Sequence, residues 1–402
     1  MVNTKKAKIL LTNMKLAMKS EISSLNSLPI GKYVALENKN NVLNIRTISG
    51  YNYTIDNLSS TEFNTCVLFD DFSKIIAKIK KDFFLEIAIR DNVETLLITS
   101  GNLSFNLEIK DYELFSVNKE LQIIKNETPV RAIEFKFDDL IKELKFIFIA
   151  CDNKPVENFI NYTNGILFDF NKSGLNIVGT DGRRLHKVEC IQDARFDQEI
   201  DFLIPVNQID ILLKLKAKDN PNVNFMFFDV DNEKYLILEV ENYYTGIMEL
   251  MNTPYPDYKR VIPNEFGYIN EISANRVLDI LNPLAIISSK EGAGNMLQIK
   301  TNSENHNLEF ITSDFNSNRA SAIIESKEIY SSNQYRSNMD NQDTAHFHYA
   351  ININYFKQII DIYKGEKITV SGAGSLQPLK YTCDKFPNRL SILMPVRCPE
   401  IE

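Results

Sequence analysis

Three stretches of the chain share one order of apolar and polar positions. They read VLFDDFSKII from Val67, LIPVNQIDILL from Leu203 and AININYFKQII from Ala350. In each, a short apolar run gives way to helical spacing. Phe72, Ile209 and Phe356 superpose, as do Ile75, Leu212 and Ile359, and then Ile76, Leu213 and Ile360. An Asp or Asn (Asp70, Asn207, Asn354) stands two residues before each anchor, at or near the expected helix N-cap. The copies lie 137 and 147 residues apart, so the repeating unit is domain-sized.

A second helical pattern precedes each of these, over Lys8–Lys19, Leu140–Ala150 and Ala274–Ile287. Runs such as Gly174–Gly179 and Tyr235–Val240, bounded by turn residues, predict antiparallel strands between the helices. The fold class expected is α+β, with three similar domains of two helices and several strands each. Breaks at Thr128-Pro129 and Ile262-Pro263-Asn264 put the domains at residues 1–127, 128–262 and 263–402.

Composition narrows the function classes. No apolar run approaches a bilayer span, and the N-terminus has lysines but no apolar signal core, so no membrane role and a cytoplasmic location are expected. The five cysteines are scattered and never spaced as C-x-x-C, which points to reduced thiols rather than a disulfide framework or zinc site.

The net charge of −8 argues against a nucleic-acid partner until it is sorted by position. Residues 3–19 hold five Lys and no acid, and residues 73–81 four Lys and no acid. Residues 140–150 give a surplus of one, 206–218 of two, 274–287 of none and 353–367 of one. The predicted helical windows together carry +13, leaving −21 elsewhere. The lysines Lys8, Lys15, Lys19, Lys74, Lys78, Lys81, Lys142, Lys214, Lys218, Lys357 and Lys364 are the candidates to face a polyanion. Long lysines hold phosphates without reading bases, so the expected partner is a polyanion met without regard to its sequence.

Three motifs then stand in order: Gly179-Thr180-Asp181-Gly182-Arg183-Arg184-Leu185, Tyr255-Pro256-Asp257-Tyr258-Lys259-Arg260-Val261, and Leu393-Met394-Pro395-Val396-Arg397. Alone, Asp-Gly between apolar runs is a hairpin turn. Together, with Asn164–Phe168 ahead of them, the set resembles the bacterial DNA polymerase III beta subunit, the replicative sliding clamp. That family shows T-D-G-x-R-L, then [FY]-P-D-Y-[RK]-R-[VL], then M-P-[MV]-R. The resemblance covers the whole chain, is strongest over residues 130–265 and at the C-terminus, and is weak over residues 1–125.

The resemblance implies a head-to-tail homodimer, a ring of six similar domains around duplex DNA that confers processivity in DNA replication. It implies a nucleoid-associated, non-catalytic protein without a cofactor. Partners would be the replicative polymerase alpha subunit, the clamp loader and repair proteins, each bound through a linear motif. Their pocket would use Thr163, Thr180, Gly182, Arg183, Arg184, Leu185, Pro256, Arg260, Val261, Ile392, Met394, Pro395, Val396 and Arg397. Leu185, Val261, Pro256, Ile392 and Met394 suit an apolar slot, and Arg184, Arg260 and Arg397 a polar rim. A peptide-binding scaffold of the same fold that is not loaded on DNA is the alternative.

Three features depart from the family pattern: Thr163 where a larger apolar residue is usual, the extension Cys398–Glu402, and a polar stretch over 325–344 that reads as a loop. Other signals lead to no chemistry. Asp70-Asp71 and Asp138-Asp139 suit helix starts. His346 and His348 lack a third metal ligand. The segments around Gly292–Gly294 and Gly372–Gly374 lack the Gly-Lys-[Ser/Thr] of a phosphate loop and read as hairpin turns. No metal is expected.

Overall fold

The computed structural model describes residues 1–20, 29–47, 52–57, 61–112, 127–152, 161–190, 199–230, 232–288, 294–302, 307–313, 318–331 and 347–398. The chain forms two compact units, Met1–Leu144 with Asn207–Asn252, and Lys145–Val206 with Thr253–Glu402.

The first unit is built on an eleven-stranded antiparallel sheet. Its strands are β1 (Tyr33–Lys39), β2 (Val42–Arg46), β3 (Asn52–Asp56), β4 (Phe63–Leu68), β5 (Phe84–Arg90), β6 (Val93–Ser100), β7 (Leu103–Lys110), β8 (Arg131–Lys136), β13 (Asn222–Val230), β14 (Glu233–Val240) and β15 (Tyr244–Glu249). The order is β5-β6-β7-β4-β1-β2-β3-β15-β14-β13-β8. Asn40-Asn41 and Asp91-Asn92 turn the β1–β2 and β5–β6 hairpins with positive φ at both central residues, a conformation Asn and Asp tolerate.

Helices α1 (Thr4–Ser20) and α2 (Phe69–Lys78) pack on each other in this unit. The fully buried Asn13 of α1 acts as a bridge. Its amide nitrogen donates to the Lys216 carbonyl (2.9 Å), and its oxygen accepts from the Lys216 amide (2.8 Å). Lys216 follows α4 (Val206–Lys214), so a single side chain satisfies backbone groups exposed by the end of a second helix.

The second unit holds a nine-stranded sheet in the order β12-β9-β10-β11-β24-β23-β22-β16-β20. These are β9 (Gly165–Asn171), β10 (Gly174–Thr180), β11 (Arg184–Cys190), β12 (Ile200–Pro205), β16 (Tyr268–Ser273), β20 (Lys327–Ser331), β22 (Lys367–Gly372), β23 (Leu379–Thr382) and β24 (Arg389–Leu393). A four-stranded sheet, β19 (Arg319–Glu325), β18 (Asn307–Ser313), β17 (Met296–Asn302) and β21 (His348–Asn352), completes it. Helices α5 (Ala274–Ser288) and α6 (Ile353–Ile362) pack on each other. Between the units' segments in sequence, α3 spans Phe137–Phe148.

The repeated strand-to-helix pattern is real, but its caps are shifted. In α6 the cap is Asn352, whose Oδ1 accepts from the amides of Asn354 (2.9 Å) and Tyr355 (3.2 Å). In α2 the cap position is Leu68 with no side-chain cap, and Asp70 and Asp71 lie in the first turn, where they oppose the helix dipole. The expected caps Asp70, Asn207 and Asn354 all fall inside their helices, because the strand turns directly into the helix. The predicted start of α1 at Lys8 is also late; the helix begins at Thr4, whose Oγ1 donates to the Lys81 carbonyl (2.5 Å).

The polar stretch expected to loop from residue 325 opens instead with β20, which pairs with β16 across a register irregularity. Glu328-Ile329-Tyr330 has strand character that the surrounding Ser and Asn masked in the sequence. Residues 332–346, with His346, and most of the Gly292 turn lie outside the described residues, as do 399–402; Cys398 is buried. Among the described residues no helix is long and apolar enough to cross a membrane.

Candidate peptide site and basic helices

The turn between β10 and β11 is held by its own side chains. Thr180 Oγ1 donates to the Arg184 carbonyl (2.6 Å) and accepts from the Gly182 amide (3.1 Å). Asp181 Oδ1 accepts from the amides of Arg183 and Arg184, both at 3.0 Å. Gly182 takes φ +81°, which a side chain would resist. Beneath the turn, a Cβ on Gly179 would stand 2.6 Å from Cys151 Sγ and 2.8 Å from Ile147, so only glycine lets α3's last turn lie this close.

Arg184 is buried and bonded on two sides. Nε donates to Asp181 Oδ2 (3.0 Å), a terminal N–H donates to Gln358 Oε1, and the guanidinium lies 4.4 Å over the Tyr355 ring. The rim role expected for Arg184 is therefore filled by internal bonds. Its exposed neighbour Arg183 donates to the Tyr355 hydroxyl at 3.3 Å.

Strand β24 extends this end of the sheet. Arg184 pairs with Leu393 and Leu185 with Ile392; both Leu185 and Ile392 are buried. The Met394 amide donates to the Arg183 carbonyl (2.9 Å), and the Val396 amide to the Ala350 carbonyl (2.8 Å). Met394, Pro395 and Val396 are half-buried and Arg397 is exposed. The sequence-predicted residues Thr180, Gly182, Arg183, Arg184, Leu185, Ile392 and Met394 are thus brought together by one strand pairing.

A second group gathers around the 3₁₀ turn Tyr258–Val261. Tyr258 donates to Asp169 (2.6 Å), while Arg260, exposed, turns back to Asp257 (3.1 Å). Pro256 is exposed and Val261 half-buried; Tyr255 beside Pro256 meets Tyr162 edge to face at 5.7 Å. That contact ties the segment to Thr163. The Thr163 hydroxyl is spent locally, donating to Asn161 Oδ1 (2.5 Å) in a capped turn.

Sequence reasoning passed over Asp181, Tyr355 and Gln358. Asp181 stands inside a quoted motif. Tyr355 had one signal: it replaces Asp71 and Gln208 of the other repeats, directly before the anchor.

The helical charge needs correction. Within its observed bounds α1 keeps five lysines and no acid, but α2, α4, α5 and α6 are each neutral and α3 carries −1. The six helices among the described residues total +4, not +13. The difference comes from Asp70, Asp71, Asp138 and Asp139 at helix starts, and from Lys80, Lys81, Lys216, Lys218, Lys364 and Lys367 just past helix ends, where the dipole favours each sign; Glu366, also past a helix end, offsets one of these lysines.

Individual lysines also differ. Lys15, Lys78, Lys81, Lys218 and Lys364 are exposed. Lys74, Lys142 and Lys214 are exposed but pair with Asp70 (3.6 Å), Asp139 (3.3 Å) and Asp210 on their own helices. Lys8 donates to the Ile79 carbonyl (2.7 Å) at the end of α2, and half-buried Lys357 to Asn282 (2.7 Å). The side chain of Lys19 lies outside the described set. An open groove of about 890 Å³ between α5 and α6 balances Lys357 and Lys364 with Asp279 and Asp361.

No family model matches the chain. It is 21% identical to the beta sliding clamp of Chlamydia muridarum over 198 residues, 49% of this chain and 50% of that one. It is 25% identical to the beta sliding clamp of Borreliella burgdorferi over 267 residues, 65% and 60% of the two chains. The chain spans about half the length of the curated relatives it matches. Over 99% of both chains it superposes on the crystal structure of the DNA polymerase III subunit beta from Pseudomonas aeruginosa, with TM-score 0.78 and 15% identity. In fold along its whole length, and in sequence over half to two thirds of it, the chain resembles the bacterial DNA polymerase III beta subunit, the beta sliding clamp.

Proposed function

We propose that the protein is a non-catalytic DNA sliding clamp that encircles duplex DNA and tethers the replicative polymerase. The observation that carries this reading is the whole-length likeness of fold to a DNA polymerase III beta subunit. The three-domain division at residues 1–127, 128–262 and 263–402 belongs to the same proposal, as does head-to-tail dimerisation into a ring. Exposed apolar residues on the first unit (Phe84, Leu103) and on the second (Ile286, Ile323) support an assembly that buries them. The lysines of α1 and the exposed Lys78, Lys81, Lys218 and Lys364 would hold phosphates weakly enough to slide. The polymerase alpha subunit, the clamp loader and repair proteins would dock by a linear motif against Met394, Pro395, Val396 and Val261, with Arg183, Arg260 and Arg397 at the rim.

The near-neutral charge of the other five described helices favours a second reading, a clamp-fold scaffold that binds peptides without being loaded on DNA. Retention on plasmid separates the two. A loaded clamp stays on nicked circular plasmid and is lost when the plasmid is linearised, whereas a scaffold shows no such difference. Lys5→Glu with Lys15→Glu in α1 should cut loading at least tenfold, and more than Lys214→Glu with Lys218→Glu, because among the described helices α1 alone has no acid to offset its lysines.

A further inference from the structure

Tyr355, in the first turn of α6, meets two consecutive arginines in different ways. Its ring lies under the buried Arg184, 4.4 Å from Cζ, and its hydroxyl accepts from exposed Arg183 at 3.3 Å. Arg184 is already committed to Asp181 and Gln358. Arg183 bears no ion pair among the described residues, so most of its fork of donors is left for an incoming group. A hydroxyl fixes a guanidinium without neutralising it, which a carboxylate in the same place would do. Ordering a long arginine side chain costs rotamer entropy on binding, and a bond already made in the free protein removes part of that cost.

We propose that Tyr355 is a positioning residue of the peptide site, and that Arg183, held by it, selects an acidic side chain in the bound peptide. Arg184 then serves to fix the hairpin on α6 rather than to touch the peptide. The inference rests on the peptide-docking reading above and deepens it by naming which arginine reads charge.

The test uses the full chain and two short peptides with identical apolar side chains for the slot, differing by one Asp-to-Asn exchange between them. The wild-type protein should bind the Asp peptide about tenfold more tightly, the scale of one charge-assisted bond. Arg183→Ala should erase that preference. Tyr355→Phe, which keeps the ring under Arg184, should reduce it to about threefold and add nothing once Arg183 is gone. Equal binding of both peptides by the wild type overturns this inference and leaves the docking site standing. An equal loss for both peptides in Tyr355→Phe overturns it too, since that would be a merely structural effect. Binding of neither peptide by the wild type removes the docking site itself, and this inference with it.

Discussion

The two ends of the β11–β24 pairing treat buried polar atoms in opposite ways. At the Thr180–Arg184 end the side chains of Thr180, Asp181 and Arg184 are tied into hydrogen bonds, and a charged guanidinium sits within 3.0 Å of a carboxylate almost out of water. Two residues further on, His186 stands opposite Ser391, and Ser391 opposite Tyr381. Among the described residues, His186 Nε2, Ser391 Oγ and the Tyr381 hydroxyl are buried without a protein partner. Unpaired buried groups cost stability, whereas a satisfied network fixes one geometry. The difference places rigidity at the turn that carries the candidate site and leaves the tolerance for error in the sheet behind it.

The largest effect should come from breaking the satisfied end. Arg184→Ala strips Asp181 and Gln358 of their partner, leaves a carboxylate nearly buried and removes the cation over Tyr355. A loss of about 3 kcal/mol is expected in denaturant unfolding. Arg183→Ala, one residue away and exposed, should cost under about 0.5 kcal/mol. Equal losses would mean that the Arg184 network is no more than a surface arrangement.

Next in size is a pH effect from the unsatisfied row. His186 stacks on Phe146 (4.5 Å) and its Nδ1 lies 2.6 Å from the Phe146 carbonyl, which makes Nδ1 the protonated nitrogen. Burial lowers its pKa from the ordinary 6.5 to about 3, with neighbouring Arg184 pushing the same way against the Phe146 bond. Below pH 6.5 the unfolded chain gains a proton that the folded chain does not, so stability falls as pH drops from about 6.5 towards 3. Between pH 7 and 5 the loss should be about 2 kcal/mol greater than in His186→Gln. Identical slopes for the two proteins would show His186 to be protonated in the fold.

Much of this was legible before any coordinates. The anchors Phe72, Ile209 and Phe356 are buried helix positions, and Gly174–Gly179 and Tyr235–Val240 are strands, because period and burial are encoded locally. The hairpin at Asp181-Gly182 follows from turn chemistry alone. Helix limits were not legible to within a turn, and the charge estimate failed through them: extending α2 to Lys81 while leaving out Asp70 and Asp71 turned a neutral helix into one of +4. Nor could sequence tell Arg183 from Arg184. They are adjacent and alike, and strand alternation sends one inward to Tyr355 and Gln358 and the other outward. That choice depends on which face α6 covers, which is set 172 to 174 residues away in sequence.

The smallest effect should have the opposite sign and tests the comparison most directly. Ser391 is completely buried at the centre of the row, between His186 and Tyr381. An unpaired hydroxyl there carries a desolvation cost that alanine lacks, and the change in volume is a single oxygen. Ser391→Ala should therefore raise stability by about 1 kcal/mol, seen as a higher denaturant midpoint with an unchanged slope. Alanine at Thr180, whose hydroxyl both donates and accepts, should lower it by about as much. A drop in both variants would mean that the hydroxyl of Ser391 is as well satisfied as that of Thr180, and the two ends of the strand pair would then be built alike.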